Sequence, residues 1–411
     1  MRIRLIVGIQ SLFVLLLCTG VRGNDLFSVT ARTTSGTSQS VTASSGNVSD
    51  LVSDLVTNSN QFSGLQNRDV SASLKYAGIN NAIDITRNAA DNSATVRIPS
   101  TGLTKTFSAG SSDALKDQIL DYVKQSGATE YGRFLRVVNH ESMTGVTDGN
   151  PLATTALLAD DQYNTFGMNA TPYFFDGADH RLDEVVTPRL RWDEGGGVAN
   201  TRDGNSYFIR GSFDMAFRFG DRVGLVLSSP FMYRNLESTN TYEAGEILAL
   251  PIAILPNRGN KALQWTVTPA GAVGAGGSLE LAAGGTFAGG GITSVVTYPI
   301  NGWTFSVANH YSFYHGYPID IGKYSFDTDL EQQILKNGAR IGHTLGKFGS
   351  IDLGLTYTSF LERAAVSEYW TPAVGADFRL GRNVGLRVAY NPILARGFTA
   401  HEGDVTLYIN Y

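Results

Sequence analysis

From about residue 181 onward the chain alternates apolar and polar positions with a period of two. Ile209, Gly211, Phe213, Met215, Phe217 and Phe219 fall on one face of an extended segment. Arg210, Ser212, Asp214, Ala216 and Arg218 fall on the other. Comparable runs start near residues 184, 206, 223, 245, 262, 291, 303, 334, 349, 367, 384 and 403, which predicts twelve strands. The Gly- and Ala-rich segment 270–291 reads in part as a loop, and two further strands hidden there would make fourteen. The turns repeat as well. Phe217-Arg218-Phe219-Gly220-Asp221-Arg222-Val223-Gly224-Leu225 returns as Phe378-Arg379-Leu380-Gly381-Arg382-Asn383-Val384-Gly385-Leu386. With Asn257–Asn260, Asn301-Gly302 (a type I′ signal) and Lys347-Phe348-Gly349 these make five tight turns. The connections at the opposite end, 194–205, 236–244 and 317–332, read as longer loops.

Ahead of residue 171 the pattern is mixed. Residues 24–50 are Ser/Thr/Gly-rich, a short helix is predicted over 48–56, and 70–108 reads as strands with a turn at 88–92. Helices are expected over 112–126, capped by Ser112, over 130–138, and over 151–166. The last has Asn150 as its cap, Pro151 at the first position and Gly167 as its stop. The chain thus divides into a leader at 1–23, a small α+β region at 24–170 that is periplasmic, a plug of the barrel or a small passenger, and a strand-rich region at 171–411.

The leader pairs Arg2 and Arg4 with an apolar stretch, Leu5–Leu17, and a cut before Asn24, as a signal peptide does. That stretch is too short to cross a bilayer as a helix. Cys18 is the one cysteine of the 411 residues. It is preceded by Leu17 rather than by a small residue, which argues against lipid attachment. A mature chain without thiols excludes disulfides and thiolate chemistry. Charged residues are 17% and the net charge is −5, with no basic run to suggest nucleic acid.

At the C-terminus Gly403, Val405, Leu407, Ile409 and Tyr411 alternate with polar residues and end on an aromatic ring. This resembles the C-terminal assembly signal of bacterial outer-membrane β-barrels. The resemblance spans roughly the C-terminal half of the chain and reaches a broad class, porin-like or autotransporter-like, with no specific family. It implies an all-β fold, an antiparallel transmembrane β-barrel of about twelve strands in a Gram-negative outer membrane, preceded by the α+β region. It implies outer-membrane lipid and a barrel-assembly machinery as partners. An even strand number with both ends on the short-turn side agrees with it. So do aromatic residues near the tight turns (Trp265, Trp303, Phe348, Phe378) and near the long loops (Tyr233, Tyr311, Phe313, Phe360, Trp370).

If one face meets lipid, the other lines a lumen. Arg210, Asp214, Arg218, Arg340, Asp352, Asp377, Arg379 and Arg387 all fall on the polar face. They could line a narrow pore with weak anion preference, or neutralise one another across it. His310-Tyr311-Ser312 places His and Ser on one side of a strand, a spacing similar to that of outer-membrane phospholipases. Here, however, both point inward and the longer motif is missing, so no catalytic residue and no enzyme activity is expected. No phosphate loop, metal-ligand spacing or cofactor site is found. The reading favoured by these patterns is a passive, porin-like channel for small polar or anionic solutes. The alternatives are an autotransporter-like barrel that exports or displays 24–170, with 151–166 as a helix just before the barrel, and a surface adhesin contacting a partner through its loops.

Overall fold

A computed structural model describes residues 26–57, 59–65, 68–122, 128–168, 189–219, 222–237, 239–255, 263–278, 283–321, 324–326, 330–381 and 384–410. The leader, the expected cut site and Tyr411 lie outside the described residues.

The N-terminal region is a six-stranded antiparallel sheet with helices on one face. Its strands are β1 (Phe27–Thr33), β2 (Ser40–Ser45), β3 (Val70–Tyr76), β4 (Ile79–Asn88), β5 (Ser93–Ile98) and β6 (Leu103–Ser108), in spatial order β2-β1-β3-β4-β5-β6. The period-2 pattern turns Val29, Leu74 and Ile85 to the buried face. There they meet Leu51 and Leu55 of helix α1 (Val48–Thr57). Helix α2 (Ser112–Asp121) is capped by Ser111, one residue earlier than the sequence suggests, through a 3.2 Å bond from the Ala114 amide. Helix α3 (Ala128–Glu141) adds Phe134, Leu135 and Val138 to the same core.

The remaining strands close into a ring of twelve: β7 (Arg189–Thr201), β8 (Asn205–Phe219), β9 (Val223–Leu236), β10 (Thr239–Ala249, continued by Ile252–Leu255), β11 (Gln264–Ser278), β12 (Ala283–Ile300), β13 (Trp303–Tyr317), β14 (Glu331–Thr344), β15 (Gly349–Phe360), β16 (Glu368–Arg379), β17 (Val384–Tyr390, continued by Ile393–Ala395) and β18 (Phe398–Asn410). Each pairs antiparallel with its neighbours, and β18 closes on β7 from Phe398↔Thr201 to Asn410↔Arg189. Asn301 (φ 51°) and Gly302 (φ 81°) make the turn between β12 and β13, as a type I′ hairpin requires.

Two expectations change. Residues 270–278 and 283–291 are strand, not loop. Strands β11 and β12 pair without a break from Gln264↔Thr297 to Ser278↔Ala283, so the count stays at twelve. Glycine runs lower strand propensity and hide the alternation, which is why the pattern failed there. The connections expected at 194–205 and 236–244 shrink to 202–204 and 237–238, because strand pairing extends through them. The 317–332 connection is long, with a small hairpin of Ile319–Ile321 and Tyr324–Phe326.

Phe213, Leu227, Leu248, Val307, Leu353 and Val374 are exposed on the outer wall. A continuous apolar belt of this size is stable only against lipid. Trp265, Trp303, Phe348 and Phe378 flank it at the tight-turn end, and Tyr311, Phe313 and Trp370 at the other. Phe360, expected among these, points inward and is buried, since it shares parity with Asp352 and Thr358. Leu353→Arg is expected to lower barrel stability by about 2–4 kcal/mol, read as a lower melting temperature of the unboiled band on a detergent gel.

Candidate functional site

The lumen is occupied by the chain itself. Helix α4 (Thr154–Tyr163), extended by a wider turn through Met168, lies inside the barrel with all ten of its residues buried. It packs against β9, β10, β11, β12, β13 and β14. The sequence places its start at Pro151 with Asn150 as cap. The structure starts it at Thr154, after an Ala153 cap without a side-chain bond. Asn150 is used elsewhere, donating to the Gly145 carbonyl (2.7 Å) and accepting from the Leu152 amide (3.0 Å).

One wall of the lumen is cut back to make room. A Cβ at Gly245 or Gly276 would collide with Leu158 and Thr154 respectively. A Cβ at Gly274 would lie 2.9 Å from Leu158 Cδ1, and at Gly291 2.6 Å from Gln162 Oε1. The glycine-rich hairpin is therefore a seat for the helix, which no local sequence rule reveals.

The other wall holds the helix by charge. Asp160 is ion-paired to Lys336 and, at 3.2 Å, to Arg210, which also pairs with Glu402. Asp161 accepts from Ser228 Oγ (2.6 Å) and lies 3.8 Å from Arg191, which pairs with Asp214 at 2.5 Å. Gln162 donates to the Tyr314 hydroxyl (2.9 Å), and Tyr163 meets Thr356 (3.3 Å). Acids on the helix thus face bases on the wall, and each desolvated charge has a partner. A second network stays within the wall. Arg340 donates to Asp352 (2.7 Å), and Arg387 donates to Asp352 (2.7 and 3.0 Å) and Asp377 (2.9 Å). A cavity of about 110 Å³ remains beside the helix, lined by residues of both networks, among them Asp160, Arg210, Lys336, Arg340, Asp352 and Arg387.

The expected lumen residues therefore separate into three groups. Arg210 and Asp214 belong to the helix clamp. Arg340, Asp352, Asp377 and Arg387 form the wall network. Arg218 and Arg379 occupy equivalent hairpin positions, opposite Gly224 and Gly385, near the tight-turn end; Arg218 is half-buried and Arg379 exposed. Sequence reasoning missed Arg191, Lys336 and Glu402. Lys336 shares the parity of Arg340, and Glu402 that of Thr406, so strand alternation could have found both. Asp160 and Asp161 gave no signal, because helix α4 has no polar face to distinguish. His310 is buried, with Nδ1 2.9 Å from Thr293 Oγ1, and Ser312 is buried beside it on β13.

Gly403, Val405, Leu407 and Ile409 lie on the outward parity of β18, opposite Gly196, Glu194, Trp192 and Leu190 of β7 at the closing seam.

Among solved structures, the translocator domain of the autotransporter NalP from Neisseria meningitidis is similar over 62% of this chain and 97% of that one, at 13% identity and a TM-score of 0.41. An outer membrane channel from Pseudomonas putida covers 57% and 98% at 13% identity and 0.42. The KdgM porin covers 53% and 97% at 14% identity and 0.32. Similarities this low carry no functional argument. No family model matches the chain, and no curated protein matches it. The closed ring with its lipid belt decides the class. The chain is a membrane-spanning β-barrel of twelve strands.

Proposed function

We propose that this barrel is a display scaffold of the autotransporter kind, holding the sheet domain and the helix Ala128–Glu141 packed in its core outside the cell. The observation that carries the proposal is the path of α4. Its Thr154 end lies against Gly276 and its Gly167 end against Thr293 and Ala308, so the chain descends the lumen from the loop end. The sheet domain sits over that loop end: Leu236 at the tip of β9 is part of its core, and Thr239 Oγ1 donates to the Gly46 carbonyl (2.6 Å). Both ends of the strand ring, Arg189 and Asn410, lie at the opposite, tight-turn end. With short turns toward the periplasm, the sheet domain faces outward. An epitope inserted at the exposed Gly36 loop is expected to bind antibody on intact cells. Binding only after permeabilisation overturns the proposal.

The cavity beside the helix favours a second reading, a narrow polar channel. In planar bilayers the purified protein is expected to pass only small currents. Asp160→Ala should raise conductance several-fold, because Lys336 and Arg210 lose the group that seats the helix. An unchanged current in that variant would count against the clamp.

A further inference from the structure

The segment between α3 and α4, residues 142–153, has no regular structure, yet every residue is buried. It forms a knot across the loop-end mouth. Its backbone groups are satisfied by the barrel rim: the Met143 amide donates to Asp203 (2.8 Å), Arg234 donates to the Gly145 carbonyl (3.1 Å), and the Val366 amide donates to the Gly149 carbonyl (3.0 Å). Gly149 (φ +83°) packs so tightly on the Asn139 carbonyl that a side chain has no room there. The 361–367 loop is tied to the knot by that Val366 bond and to the end of α3 beside it by an Arg363–Glu141 pair at 3.2 Å.

One acid sits inside this knot. Asp148 is fully buried; its Oδ1 accepts from Thr155 Oγ1 (2.8 Å), the Gly149 backbone amide also bonds the carboxyl, and Oδ2 has no side-chain partner among the described residues. The other charged groups around the mouth belong to neighbouring elements. Glu362 and Arg363 come from the 361–367 loop, Arg136, His140 and Glu141 from α3, Arg202 and Asp203 from the β7–β8 turn, and Arg234 and Glu243, 4.0 Å apart, from β9 and β10. Arg363 is engaged by Glu141 and Arg234 by Glu243, so neither cation neutralises Asp148.

We propose that the knot is a pH-sensitive seal in which ionisation of Asp148 loosens residues 142–150 and the 361–367 loop from the mouth. An ionised carboxylate with one oxygen unpartnered and no solvent costs far more than a neutral one. Burial pushes the Asp148 carboxyl up from 3.8 to about 6; the Thr155 and Gly149 hydrogen bonds oppose it, and the nearby Glu362 adds a smaller push the same way. A raised folded-state value means that sealing is strongest below the ordinary carboxylate range and is lost as pH rises through about 6. The inference concerns the mouth alone and holds whether the barrel displays a domain or conducts.

Hydrogen–deuterium exchange of the full chain in detergent tests it. After correction for intrinsic chemistry, amides 143–149 should exchange about 25-fold faster at about pH 7.5 than at about pH 4.5, while β13 stays protected. Asp148→Asn should abolish the rise. Glu362→Gln should move the midpoint to lower pH, and it decides the matter if the Asn variant does not assemble. A flat wild-type profile, a slope that survives Asp148→Asn, or an unmoved midpoint in Glu362→Gln overturns the proposal.

Discussion

Gly245→Val combined with Gly274→Val is expected to expel helix α4 from its seat and leave a barrel that melts far earlier. Side chains at both positions would enter the volume of Leu158, and at Gly245 the Val273 carbonyl, 2.8 Å from the new Cβ, blocks retreat into the wall. Overpacking of this kind costs about 1–3 kcal/mol per site, a large share of a total stability of roughly 5–15 kcal/mol. The control is Gly271→Val in the same hairpin. Gly271 faces outward, and a Cβ there meets nothing nearer than the Gly289 carbonyl at 4.0 Å. Valine also favours strands. The double variant should therefore lose its heat-modifiable band at a lower temperature while the control keeps it. Equal melting of the two would show that the glycines serve the hairpin and not the helix.

Arg387→Met should be the most damaging single charge removal in the lumen. Arg387 lies within hydrogen-bond distance of both Asp352 (2.7 Å) and Asp377 (2.9 Å), whereas Arg340 bonds Asp352 and comes no nearer to Asp377 than 3.6 Å. Breaking a buried pair costs about 3–5 kcal/mol, and the lower end applies because Arg340 still reaches Asp352 at 2.7 Å. Adding Asp352→Leu should recover much of the loss, since Arg340 then faces Asp377 alone, 3.6 Å away. Urea unfolding of the refolded variants checks both statements. If the double variant is less stable than the single one, the network is not a charge-balanced unit.

Much of this architecture is local information. A strand with lipid on one side and a polar interior on the other must alternate, so residues such as Phe213 and Asp214 declare their faces in sequence. Tight turns need specific residues, and Asn301-Gly302 declares its geometry. Alternation and turns together were enough for the barrel and its twelve strands. What the chain could not declare locally was what fills the barrel. Asp160 and Lys336 are 176 residues apart, and Leu158 meets Gly245 and Gly274 from a different element. A helix enclosed by a glycine seat on one side and a charged wall on the other has no exposed face, so it lacks the amphipathic period by which helices are recognised. The glycines that seat it look like a loop, because their small size answers a neighbour distant in sequence. Strand, face and turn are set by the nearest few residues and by solvent. The plug, its clamp and the sealed mouth arise from contacts that exist only once the ring has closed.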